Sequence, residues 1–78
     1  MWLYNPPNGK PVDTRSAPML DAPRTGNRLQ PGHVFKCVCQ VRGQTDGVLY
    51  LMLEDNKGWM FEGKPGVGKM CFPHFEVD

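Results

Sequence analysis

No segment of this chain is long and apolar enough to cross a membrane as a helix, and no stretch runs far enough without interruption to make a globular helix of ordinary length. Eight prolines and nine glycines are scattered almost evenly, so the longest runs free of both, His33–Arg42 and Val48–Lys57, are ten residues each. A strong charge of one sign is missing too. Nine Lys or Arg against eight Asp or Glu leave a net +1, a field too weak to dictate a nucleic-acid or membrane partner. Cysteine is scarce: Cys37, Cys39 and Cys71 are odd in number and too few for a disulfide scaffold, which sets the expectation of a reducing, intracellular compartment. The opening Met-Trp-Leu-Tyr-Asn-Pro-Pro lacks the basic region and apolar run of a secretory leader. Internal repeats and low-complexity tracts are absent as well.

What remains is enough for one small domain. The 78 residues lie near the lower limit at which a chain supports its own core, and a hydrophobic share of 40% supplies that core. The charge is unevenly divided. Residues 1–42 carry six Lys or Arg against two Asp, whereas residues 43–78 carry three Lys against six acids. A small domain interleaves its halves, so this asymmetry need not survive folding.

Both long uninterrupted runs alternate. Phe35, Cys37, Cys39 and Val41 fall on one side of the first, with Lys36 and Gln40 opposite, and Leu49, Leu51 and Leu53 share one face of the second. That is the period of a strand. Asp55-Asn56-Lys57-Gly58 then reads as a hairpin loop with Gly58 at positive φ, and Trp59-Met60-Phe61-Glu62 as the returning strand. Three consecutive antiparallel strands follow. Val12–Arg15 reads as a further short strand, 16–31 as a long polar loop, and Lys69–Phe72 as a segment able to close the sheet. Closure removes the unpaired edges that a tiny sheet cannot protect. The expectation is therefore an all-β, five-stranded, partly open barrel with few or no helices. Residues 1–11 are expected as an N-terminal arm or short edge strand, 12–72 as the barrel, and 73–78 as a C-terminal tail.

Gly63-Lys-Pro-Gly-Val-Gly-Lys-Met70 spells most of a phosphate-binding loop, but Met70 stands where a magnesium-holding hydroxyl belongs, and Pro73 forbids the helix that should follow. It reads as a glycine-rich connector.

Val12, Arg15, Ser16 and Pro18, then Gly26, Leu29, Gly32 and Phe35, and finally Gly58, Trp59 and Met60 form an ordered pattern across about residues 12–62. That pattern resembles the bacterial-type Src-homology-3-like domain. The resemblance implies a small barrel that binds peptides, cell-wall components or neighbouring domains without catalysis. It also places Met60 in the core and Trp59 nearer the surface. Signalling-type relatives take basic proline-rich peptides through an acidic early loop. Here that loop carries Arg15, Arg24 and Arg28 against Asp13 and Asp21, a departure from the pattern.

Val48–Leu53 is apolar on both faces. If the leucines point inward, Tyr50 and Met52, joined by Trp59 and Phe61 of the next strand, form an outer apolar surface for a protein or peptide partner. The alternative is that the termini, through Trp2-Leu3-Tyr4 or Phe72 and Phe75, fold back over it. A second reading is an RNA-binding barrel using the early-loop arginines Arg15, Arg24 and Arg28 with Arg42 and Lys10, and aromatic rings such as Tyr50 or Trp59 to stack bases. Cys37, Cys39, Cys71 and His74 are four zinc-ligand types, though Cys-x-Cys departs from the usual knuckle spacing and small buried thiols explain the first pair equally. A cysteine nucleophile with His33 or His74 as base has nothing in the sequence to bring the two together. Glu54 and Asp55 open a turn, where such residues cap backbone donors. The expected protein is thus a non-enzymatic interaction module, or an accessory subunit of a larger assembly, without a cofactor.

Overall fold

A computed structural model describes residues 1–75. The described chain contains ten short strands: β1 (Trp2–Tyr4), β2 (Val12–Arg15), β3 (Arg24–Leu29), β4 (Val34–Phe35), β5 (Cys37–Arg42), β6 (Leu49–Leu53), β7 (Trp59–Phe61), β8 (Gly63–Lys64), β9 (Gly68–Lys69) and β10 (Cys71–Pro73). A single 3-10 turn, Glu54–Asn56, stands between β6 and β7, and no α-helix occurs among the described residues.

The strands pair antiparallel throughout, in a three-stranded sheet of order β10-β1-β4, a five-stranded sheet of order β3-β2-β7-β6-β5 and a two-stranded ribbon β8-β9. No closed cylinder is present among the described residues. The run that follows Gly32 links the two larger sheets. Phe35 pairs with Trp2 in one and, past Lys36, Cys37–Arg42 pairs with β6 in the other. A register shift between Cys37 and Cys39 makes Val38 a bulge, the usual device by which one strand turns a corner between sheets.

The central meander β5-β6-β7 has the strand order that alternation predicts, but β5 is exposed from Val38 to Arg42 and its bulge breaks the single half-buried face expected for Phe35, Cys37, Cys39 and Val41. Leu51 faces Met60 and Met52 faces Trp59 across the hairpin, whose turn places Asp55 and Asn56 at φ 60° and 56° and Gly58 at φ 105°. Three expectations need correction. The loop expected at 16–31 contains β3, a six-residue strand with only Leu29 buried. The expected N-terminal arm or edge strand supplies β1, the middle of its sheet, held by β4 on one side and β10 on the other. The expected tail 73–78 begins inside β10, and residues 76–78 lie outside the described residues.

The core gathers side chains from both sheets: Tyr4 and Phe35 from one, Tyr50, Leu51, Leu53, Met60 and Phe61 from the other, with Leu29, Met70 and Cys71. Thr14 is the buried polar member, fully enclosed. Its hydroxyl donates to the Lys57 carbonyl at 2.6 Å and so accepts from Thr25 Oγ1 at 2.5 Å, while Thr25 Oγ1 accepts the Asn27 N–H at 3.1 Å. This relay fastens β2, β3 and the hairpin turn with every group satisfied, which is what a polar side chain in a small core requires.

Candidate functional site

Tyr50 and Phe61, expected on an outer surface, are 0% and 1% exposed and face one another across β6 and β7. Alternation separates the two faces of this hairpin but cannot tell that both are covered. The loop after β2 supplies much of the cover: Leu20 packs against the core, Ala22 is buried, and the Leu20 backbone lies beside the Tyr50 hydroxyl. That hydroxyl donates to Asp46 Oδ2 at 2.6 Å. The termini cover only in part. Tyr4 is buried in the core, whereas Phe75 is 82% exposed. Met52 and Trp59 remain half-buried register partners, and Met60 is fully buried.

The zinc-ligand types do not converge. Cys37 is half-buried and its thiol donates to the Cys39 carbonyl at 3.1 Å, Cys39 is exposed, and Cys71 is buried where β10 pairs with β1. Among the described residues no group of three or more His, Cys, Asp or Glu is placed to hold a metal ion. Cys37 and Cys71 are also poor nucleophiles: burial pushes Cys37 up, and burial followed by the charge of Glu62 pushes Cys71 up to about 12.

Burial, followed by the Asp46 contact, likewise raises Tyr50 to about 12. Both groups therefore hold their protons more tightly folded than unfolded, where a thiol and a phenol titrate near 9.0 and 10.0. Their contribution to stability is full below those values and is lost as pH rises towards 12. The melting temperature should fall steadily above about pH 9, and Cys71→Ala should flatten the first part of that fall. A flat profile across this window would show that neither group is linked to folding.

The glycine-rich segment is a hairpin, β8-turn-β9, with the Val67 N–H donating to the Lys64 carbonyl at 3.0 Å. Lys69, the lysine that a phosphate loop would aim at its ligand, lies over the Phe72 ring at 5.1 Å from the centroid. Lys64 points the segment to a different place.

That place is a cleft of about 210 Å³ bordered by five cations, Lys10, Arg15, Arg24, Arg28 and Lys64, and one carboxylate, Asp13. Tyr4, Phe61, Val67 and Met70 contribute its apolar wall. Local structure explains each contributor. The Tyr4 hydroxyl donates to the Lys10 carbonyl at 2.7 Å and so pins the loop that carries Lys10. Asp13 stands opposite Arg28, and Arg15 opposite Arg24, across the β2-β3 pair. Arg28 Nε donates to Asp13 Oδ1 at 3.0 Å, whereas Arg24 approaches Asp13 Oδ2 only to 3.7 Å. The Arg28 hydrogen bond, with the charges of Arg28, Arg24 and Arg15 behind it, holds the Asp13 carboxyl below its usual range. Arg15 donates from Nη1 to the Ala22 carbonyl at 3.0 Å, while its buried Nε has no hydrogen-bond partner.

A second hollow, about 260 Å³, lies across Arg28 and adds Lys36, Lys57 and His33 around Glu54. The cationic surface thus continues past β3, an outermost strand of its sheet. Three of the four arginines expected to act together do meet. Arg42 does not, because its Nη1 is tied to the Gly47 carbonyl at 2.8 Å at the other end of the sheet. Sequence reasoning placed Lys10 beside those arginines but missed Lys64 and Asp13 as site residues. The usable signal was the charge imbalance between the halves, since four of the five cleft cations precede residue 43. Compared with models of known protein families, with curated proteins and with solved structures, the chain gives no match.

Proposed function

We propose that this chain is a non-catalytic interaction module, of Src-homology-3-like type, that captures an acidic segment of a partner protein along its cationic cleft. The carrying observation is the concentration of five cations against one carboxylate in the cleft of a chain whose net charge is only +1. Such a field attracts an extended anionic chain and speeds its arrival. The β5-β6-β7 meander, the strand shared by two sheets and the long early excursion that carries β2 and β3 support the type of domain. This departs from the basic proline-rich ligands of signalling-type relatives, and the arginines of the early excursion are the reason.

RNA is the competing anion, and the continuity of the two cationic hollows favours it. Against it, the aromatic rings that border the cleft, Tyr4 and Phe61, are 2% and 1% exposed, so they offer no open face for base stacking. Fluorescence anisotropy with a labelled glutamate-rich peptide separates the readings. Binding should weaken with salt, and replacing exposed Lys10 and Lys64 together by Ala should weaken it about tenfold without shifting the melting temperature. Equal capture of a lysine-rich peptide, or tighter capture of single-stranded RNA at the same salt, would overturn the assignment.

A further inference from the structure

Within the cleft the charges are not evenly provided for. Arg28 has the Asp13 carboxylate at hydrogen-bonding distance. Arg24 reaches the same carboxylate only at 3.7 Å and Arg15 donates to the Ala22 carbonyl, yet the two stand in direct register on neighbouring strands. Like charges placed opposite one another on a sheet destabilise it. A buried guanidinium Nε without an acceptor adds a second penalty, because a donor withdrawn from water and left unpaired loses its hydration with nothing in return. Two unfavourable features of the fold therefore fall on one residue, Arg15, and the repulsion is the one a ligand in the cleft can relieve, because the Nε is closed to solvent. An anion seated between Arg15 and Arg24 screens the repulsion and gives the guanidinium groups an acceptor.

The chemistry of that anion follows from what faces it. A single carboxylate carries one charge and two acceptor oxygens, fewer charges than two opposed guanidiniums present. Two opposed guanidiniums, with the Lys10 and Lys64 ammoniums on the same cleft, match a group with about two negative charges and three acceptor oxygens. We infer that the Arg15–Arg24 pair is a seat for a phosphate monoester, so that the module recognises a phosphorylated side chain within an acidic segment. Asp13 sets the register of that seat. Its Oδ1 occupies Arg28, while its Oδ2 lies 3.7 Å from Arg24 Nη1, so an anion must compete with Asp13 for Arg24.

This inference rests on the proposed reading of the cleft as the binding face, and the experiment keeps the two apart. Three versions of one short glutamate-rich peptide, carrying phosphoserine, serine or glutamate at the same position, are titrated against the whole chain by anisotropy, alongside a single-stranded RNA. The phosphoserine peptide should bind about tenfold more tightly than either of the others, the gain that one to three new charge-assisted hydrogen bonds provide. Inorganic phosphate should compete better than chloride at equal ionic strength. Arg15→Lys, which keeps the charge and removes the fork, should abolish most of the phosphate gain, read as the ratio of phosphoserine-peptide to serine-peptide affinity on that same variant. Arg24→Lys, at an exposed position on an outermost strand, should lower the same ratio if Arg15→Lys does not fold. Equal binding of all three peptides overturns the phosphate seat and leaves the acidic-segment reading intact. No binding of any peptide, or tighter binding of the RNA than of the phosphopeptide, overturns both.

Discussion

Gly58→Ala should lower stability by about 4 kcal/mol, most of what a domain of this size possesses. Gly58 has φ 105°, a region that side chains with a Cβ rarely adopt. Space is closed as well as conformation. A Cβ built there would lie 2.8 Å from the Arg15 carbonyl oxygen, 2.7 Å from Thr14 Oγ1 and 2.9 Å from Thr25 Cγ2. The carbonyl belongs to the strand paired with β7, and Thr14 is locked by its bond to the Lys57 carbonyl, so none of these atoms can retreat cheaply. Gly66→Ala is the control. Its φ is 84°, yet nothing lies within 4 Å of the added carbon, so it should cost only about 1 kcal/mol. Urea denaturation of the two variants checks the contrast. Similar midpoints for both would mean that the crowding around Gly58 relaxes.

Phe61→Ala should cost about 4 kcal/mol, the usual penalty for emptying an enclosed aromatic site. The side chain is 1% exposed, faces Tyr50 across the hairpin, and borders the cleft through the same core that holds Tyr4 and Met70. Phe61→Leu, which keeps most of the volume, should retain the fold with a smaller loss and should bind the acidic peptide as the parent does. A Phe61→Ala protein with an unchanged urea midpoint and no peptide capture would restore the outer-surface role expected from alternation.

Alternation was informative where strands are long and their partners close in sequence. β5 and β6 satisfy both conditions, and the three-residue β7 is marked by the Gly58 turn that precedes it. It failed for β3, where Arg24-Thr-Gly-Asn-Arg-Leu29 buries only its last residue and is held as a strand by β2 and by the Thr14–Thr25 contact. It failed differently for Tyr50 and Phe61. A strand apolar on both faces reads equally as half-exposed or as doubly covered, and the covering residues, Leu20 and Ala22, sit in a loop whose path has no periodicity to betray it. The cleft was visible only as a coarse excess of basic residues in the first half. Its assembly depends on Lys64 arriving from a hairpin far along the chain, a contact that no local pattern encodes.

β1 contains three residues, and its two neighbours come from residues 34–35 and 71–73. During synthesis β1 must therefore wait, with one flank unoccupied, until Cys71–Pro73 has left the ribosome. Long-range pairing of this kind slows maturation and keeps Trp2 and Leu3 open to chaperones or to another nascent chain in the interval.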